Sequence, residues 1–453
     1  MGQSYKVLQA GTVSGTFSTP VFNVQGTGLL DASVTYTGTT ATATFQRAQI
    51  IPGVQPSIYN SLINSINNSS ANGTLSPQFQ NLFNLPAGQQ TAALQQLSGQ
   101  SNTGGVVSAN SMQTSFATTL LNPGVDGRSG GFGGFGPVLG YAPEAPMSAE
   151  QQSAYDAVTP HDAAQAMMRG MNPEYNHSVW ASAYGGYSSL TGTASNNLGT
   201  ATATSGGGGI ASGIDFRFGP DTVIGFALGG GGTSWNLTQG LGGGNSEIFQ
   251  GGFYGSHRFG NFYISGALAF AYDWMHTNRT VTSPSVANLT ASFQAPGATG
   301  RLEGGYNFDL GAVSVTPYVA GEFSALRVPG YTESGNPAFA LSYQAATQTN
   351  ERAELGVWAG KSFQLSSAIL WLRGRAGYAH DWWSSDNFTT AFADLPTQSF
   401  TSTGITPPAN VGLGSLMAEV KYPSGVSWSA RFDAEAASSY YSLAGTGTFR
   451  YAW

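Results

Sequence analysis

Tyr441-Ser442-Leu443-Ala444-Gly445-Thr446-Gly447-Thr448-Phe449-Arg450-Tyr451-Ala452-Trp453 stands at the C-terminal end of the sequence, and it alternates. Leu443, Phe449, Tyr451 and Trp453 fall on one face of a period-two pattern, and Thr446, Thr448 and Arg450 on the other. Large apolar groups in water form a sticky edge, whereas a membrane-spanning strand needs lipid-facing apolar residues and interfacial aromatics. The stretch predicts the last strand of an outer-membrane β-barrel.

The same device recurs from about residue 177 onward. Phe262, Ile264, Leu268, Phe270, Tyr272 and Trp274 alternate with Tyr263, Ser265, Ala267, Ala269, Ala271 and Asp273. Ile214, Phe216 and Phe218 oppose Asp215 and Arg217; Leu302, Tyr306 and Phe308 oppose Arg301 and Glu303; Leu355, Val357 and Ala359 oppose Arg352, Glu354 and Gly356. Leu370, Leu372, Ala376 and Tyr378 oppose Arg373 and Arg375, and Trp428, Ala430, Phe432 and Ala434 oppose Ser429, Arg431, Asp433 and Glu435. In a soluble sandwich the apolar face packs on a second sheet; in a membrane barrel it meets lipid while the charges line a lumen. Alternation alone does not choose.

Connection lengths do, because bacterial barrels have short turns on the periplasmic side and longer loops outside. About twelve strands are expected. Long links are read at 188–205, 236–244, 278–294, 329–348 and 383–408, and tight ones at 219–221, 260–261, 309–312, 365–367 and 423–425, in alternation. The link near Ser438-Ser439 should be long and is short. An even count puts both barrel ends on the periplasmic side, and about twelve strands enclose a lumen wide enough for roughly one helix or an extended chain.

Composition agrees with a structured β protein: 9% of the 453 residues are charged, 63 are Gly, and aromatics reach 12%, a share that disordered chains lack. The net charge of −7 is scattered, which argues against nucleic acid as a partner. Cysteine is absent, excluding a disulfide framework, a thiolate metal site and a thiol nucleophile. No run approaches the roughly 20 apolar residues of a spanning helix. Met1-Gly2-Gln3-Ser4 is not a basic-then-apolar export signal, so Met1 is read as an internal start, a trimmed end or an incomplete gene model.

Upstream of the strands the character changes. Residues 1–48 are Thr/Gly/Val-rich and strand-like; residues 49–121 show helical spacing at Ile58, Leu62, Ile63 and Ile66, at Leu94 and Leu97, and over Val107 to Leu121. Residues 122–176 combine a Gly/Pro-rich linker, including Gly130 to Gly136, with a weakly helical Ser148 to Met171.

The residues converge on a known pattern. Val179 to Tyr187 as first strand, Leu302 to Phe308, Thr316-Pro317-Tyr318, Glu351 to Val357, Arg375 to Asp381 and the aromatic C-terminus together resemble the C-terminal translocator of monomeric autotransporters, over roughly residues 177–453 and less closely 1–121. Tyr5 to Gly11 through Phe17 looks like the last rungs of a β-solenoid passenger, and Leu97-Ser98-Gly99 with its helical continuation looks like the family's pre-barrel segment. The resemblance implies four parts: a solenoid end at 1–48, a pre-barrel segment at 49–121, a linker and possible pore helix at 122–176, and an outer-membrane barrel at 177–453. It also implies partners: membrane lipid, the barrel-assembly machinery, periplasmic chaperones and the chain's own passenger. Phe449, Tyr451 and Trp453 would be the assembly signature.

Candidate sites fare differently. Gly356-Val357-Trp358-Ala359-Gly360-Lys361-Ser362 lacks the spacing of a phosphate loop, and the Gly runs at 206–209 and 229–232 lack that of a dinucleotide fingerprint. Histidines 161, 177, 257, 276 and 380 have no metal-ligand spacing, and His380-Asp381 reads as a strand-end pair near the interface. No catalytic residue, metal or cofactor is predicted. The resemblance brings in-pore cleavage at an Asn-Asn pair into question; Asn67-Asn68 lies far upstream and Asn196-Asn197 in an outer loop, so self-cleavage is predicted absent. Arg217, Arg301, Glu303, Glu322, Arg352, Glu354, Arg373, Arg375, Glu419, Lys421, Arg431, Asp433, Glu435 and Arg450 are expected to face the lumen with opposite signs interspersed. The expectation is a translocator that anchors and exports its N-terminal segment from the bacterial outer membrane, with residues between 88 and 172 in the pore. A passive channel or surface adhesin is the alternative, and a soluble two-sheet β protein a third.

Overall fold

A computed structural model describes residues 4–16, 22–24, 28–47, 49, 58–121, 176–193, 199–219, 221–311, 313–384 and 387–453. Twelve of its strands form one ring: β1 (His177–Leu190), β2 (Ala203–Phe218), β3 (Thr222–Leu237), β4 (Gly243–Phe259), β5 (Phe262–Val281), β6 (Ala287–Tyr306), β7 (Ser314–Val328), β8 (Ala346–Gln364), β9 (Ile369–Trp383), β10 (Asn410–Lys421), β11 (Val426–Ala437) and β12 (Tyr440–Ala452). Each pairs antiparallel with the next, and β12 returns to β1 from Tyr440↔Leu190 to Ala452↔Ser178. Closure matters physically: a hydrocarbon-facing edge would leave peptide groups without partners.

Period two sorts the side chains. Along β5 every even-numbered residue from Leu268 to Thr280 is exposed and every odd-numbered one from Ala267 to Val281 buried. The outer face carries Phe226, Leu228, Phe253, Leu268, Phe270, Val319, Leu355, Leu416 and Phe432, all exposed. Aromatics rim this band. Phe259 stacks on Phe262, and Tyr451 on Trp453, at the short-turn end; Tyr187 meets Tyr441, and Tyr272 meets Trp274, toward the other. From Phe262 to Trp274 the tilted strand rises roughly 30 Å, close to the apolar band of such barrels.

Two long links of the sequence reading are corrected. β3 runs to Leu237 and β4 starts at Gly243, while β5 continues to Val281 and β6 begins at Ala287, so 278–294 is strand apart from a short crossing at 282–286. Beyond the bilayer the outward residues turn polar (His276, Asn278, Thr280), which breaks the apolar stripe without breaking the ladder. The links at 191–202, 329–345 and 384–409 remain long, and the hairpin at Ser438-Ser439 is short.

Helices α1 (Asn60–Ala71), α2 (Gln80–Asn84), α3 (Ala87–Leu97) and α4 (Ser101–Leu120) precede the barrel. Residues 4–47 hold strands at Ser4–Gln9, Phe22–Val24, Gly28–Tyr36 and Thr40–Arg47, in one antiparallel sheet. Stacked solenoid rungs pair in parallel, so these ladders differ from the expected arrangement; Thr-rich alternation is common to both. The linker and weak helix expected in 122–171 lie outside the described residues.

Placing Arg at position 270, mid-band, should destabilise the barrel by about 2–4 kcal/mol. Urea unfolding in lipid vesicles, with Phe270→Leu as the matched control, checks this.

Candidate functional site

The bore is the site, and two unlike walls build it. On β2 to β5 a run of inward positions is small: Gly207, Ala211, Ala227, Gly229, Gly252, Ala267, Ala269 and Ala271. Helix α4 lies in the space they leave, with Met112, Phe116 and Leu120 packed among Trp180, Tyr184, Ile248 and Tyr254. It enters from the long-loop end, where Trp235 Nε1 donates to the Ser101 carbonyl at 3.0 Å. Polar side chains fix its rotation: Thr114 Oγ1 donates to Glu322 at 2.7 Å, Thr299 Oγ1 donates to Gln113 at 3.2 Å, and Ser324 bonds Asn110.

On β6 to β11 the inward positions are charged. Arg301, Glu322, Arg352 and Asp381 are direct partners across four adjacent strands, and the signs alternate. Arg301 reaches Glu354 at 2.8 Å, Glu303 at 2.9 Å and Glu322 at 3.3 Å; Arg352 reaches Glu435 at 2.7 Å and Asp381 at 2.8 Å. Arg375 lies 3.5 Å from Asp433 and 3.8 Å from Glu354, and Arg431 2.6 Å from Asp433. A second group joins Arg373, Glu419 and Lys421, at 3.8 and 3.5 Å. In such a setting removal of one partner hurts far more than the pair helps, because the other charge stays buried. Between this arc and the Asn110, Ser111, Thr114 and Ser115 side of α4 a cavity of about 120 Å³ remains.

Near the seam between the last strand and the first, Arg450 pairs with Asp215, which also accepts from Ser178 Oγ at 2.6 Å and from Tyr254. Arg217 is half-buried on the same inner face of β2 as Asp215. Of the C-terminal aromatics, Tyr451 and Trp453 are exposed on the outer face, and Phe449 lies against Trp428 with ring centroids 4.7 Å apart. His380 and Asp381 do not form a pair: neighbours on a strand point to opposite faces, so His380 bonds Asn410 outside while Asp381 holds Arg352 inside. Gly356 to Ser362 lies within β8, with Gly356 beneath the Tyr318 ring.

The outer mouth carries what the sequence reading missed. Helices α1 to α3 pack on two long loops through Leu62, Ile66, Phe79, Leu94, Phe339, Leu341, Phe388, Phe392 and Phe400, one apolar core outside the band. Arg279 anchors it: the guanidinium forks onto Glu333 at 2.8 and 2.6 Å and donates to the carbonyls of Gln96 and Phe339. Burial pushes the Tyr59 phenol up to about 12, against the lowering effect of its bonds to Gln100 and Gln95, so it serves as a neutral donor to the Gly199 carbonyl. Gly99 turns the chain from α3 into α4 at φ +75°, and a side chain there would strike Tyr343. Asn67-Asn68 lies on α1 in this cap; Asn196-Asn197 lies outside the described residues.

Residues 179–433, more than half of the sequence, match the autotransporter beta-domain family. The chain belongs to that family. Residues 179–433 are an outer-membrane autotransporter translocator barrel. A stretch of 215 residues is 26% identical to the extracellular serine protease of Serratia marcescens, covering 46% of this chain and 19% of that protein, so the chain spans about a fifth of that relative. Among solved structures it is similar to the translocator domain of autotransporter NalP from Neisseria meningitidis (17% identity, TM-score 0.49, 67% of this chain and 98% of that one). It is also similar to the beta domain of the Bordetella autotransporter BrkA (16% identity, TM-score 0.48, 61% of this chain and 100% of that one).

Arg301→Met leaves three carboxylates facing one another and should lower stability by about 3–5 kcal/mol in urea unfolding. Lys6→Met, on the exposed N-terminal sheet, should change it by less than about 0.5 kcal/mol.

Proposed function

We propose that the barrel carries its N-terminal segment to the cell surface and retains α4 in the bore, with residues 58–97 as a cap outside. The single observation that carries this is the path of the chain. α4 enters at the long-loop end, with Ser101 at Trp235, and runs down the bore to Leu120 over Gly252, toward the short-turn end where β1 begins. The charged arc of Arg301, Glu303, Glu322, Arg352, Glu354, Arg375, Arg431, Asp433 and Glu435 then faces a neutral Ser/Thr helix, keeping the bore wet without gripping the passing chain. Arg217, Arg373, Glu419, Lys421 and Arg450 line the remainder of the wall in this reading, and residues 1–48 are the end of a passenger.

The translocator works without enzymatic chemistry of its own, and direction comes from folding outside the cell and from assembly factors in the periplasm. The protease activity in the Serratia relative's name stays with that protein. Phe449, Tyr451 and Trp453 would present the assembly machinery with an aromatic strand end. A filled bore counts against a passive open channel.

An epitope inserted at Gly38, in an exposed turn, should bind antibody on intact cells, and deletion of residues 4–121 should raise single-channel conductance in planar bilayers. An epitope reachable only after the outer membrane is broken, or conductance unchanged by the deletion, would contradict the reading.

A further inference from the structure

We infer that Trp235 and the Gly104-Gly105 pair of α4 form a register stop, fixing the point at which the exported chain comes to rest in the bore. The inference rests on the export reading above and adds the residues that end the movement.

Helix and wall fit each other in both directions. A Cβ at Gly104 would lie 2.7 Å from Trp235 Cδ1 and one at Gly105 2.8 Å from Trp235 Cζ2, distances at which something must shift. From the wall side the indole lies over Gly244, where a Cβ would strike it, and on the edge that faces the helix its Nε1, between those two carbons, donates to the Ser101 carbonyl, so it has little room to give. In the opposite sense Met112, Phe116 and Leu120, spaced four apart on one helix face, rest over Gly207, Gly229 and Gly252 of the successive strands β2, β3 and β4. Cβ atoms at those glycines would come within 3.0, 3.0 and 2.8 Å of them.

A helix slides in steps of one turn, about 5.4 Å, if its faces are to stay aligned. One step either way brings Gln100-Ser101 or Ser108-Ala109 against Trp235, and all four carry a Cβ. Gly104 and Gly105 are the only glycines in α4, so a single axial position accepts the indole. Trp235 stands near the outer end of β3, where a chain moving outward meets it last. Below it the trough beneath α4 is floored by Gly207, Gly229 and Gly252, and the inward rings of Trp180, Tyr184 and Tyr254 stand around that trough.

The sequence contains no cysteine, so introduced pairs report alone. In isolated outer membranes of the full chain, Asn110→Cys with Ser324→Cys should form a disulfide on oxidation, and Thr114→Cys with Ser324→Cys should not. Moving the glycines by one turn (Gly104→Ala, Gly105→Ala, Ser108→Gly, Ala109→Gly) keeps their number and should transfer the cross-link to the second pair. Cross-linking that stays on the first pair overturns the stop and gives the register to the cap. From the barrel side, Trp235→Ala should bring the ratio of the two products to near unity; an unchanged ratio overturns it equally. Heat-modifiable gel mobility checks that each barrel is folded. Antibody access to the Gly38 epitope in the same cells separates the two claims, since a hidden epitope with a shifted cross-link sinks export and leaves the stop standing.

Discussion

Hydrocarbon accepts neither an unpaired peptide group nor a bare charge, and the rest of this molecule follows from meeting both demands with one repeating strand. Ring closure through Tyr440↔Leu190 to Ala452↔Ser178 pairs the backbone. Period two does the rest, sending Phe270, Leu372 and Phe432 outward while Arg373 and Asp433 turn in. A sheet that obeys this rule has an interior whether or not it needs one. In this chain the interior has been divided, half into a small-residue trough that fits a helix and half into an arc of opposed charges.

That division explains why so few charged residues suffice. Arg301 alone meets three carboxylates, and Arg352 two more, so the arc neutralises itself across strands without help from α4. The helix can therefore be uncharged. Its polar contacts go through hydroxyls and amides, which are lost singly at low penalty during movement. Firm closure is assigned elsewhere, to the apolar cap and the Arg279–Glu333 fork at the mouth.

How much was legible follows from what each region obeys. In the lipid band a residue's face is dictated by parity, so the inward set from Arg301 to Arg450 can be read by counting. Past Trp274 the apolar stripe ends, because the outward positions His276, Asn278 and Thr280 face water, although the inside–outside alternation continues to Val281; the stretch from Asn278 therefore read as a loop, and Arg279 was lost with it. Its partner Glu333 sits in a loop whose fold depends on helices more than 200 residues upstream, a pairing that periodicity cannot carry. The helical spacing at Leu62, Ile66, Leu94 and Leu97 was plain, yet what those faces cover is set by Phe339, Phe388 and Phe392, far along the chain. Parity also separates His380 from Asp381, a consequence that adjacency in sequence concealed.

The claim on which everything turns is that the exposed apolar face touches lipid and the ionised face does not. Labelling by a photoactivated probe confined to the bilayer core tests it most directly. The account predicts adducts on Phe270, Leu372 and Phe432 and none on Arg373 or Asp433; adducts on the charged pair with the three apolar residues untouched would contradict it.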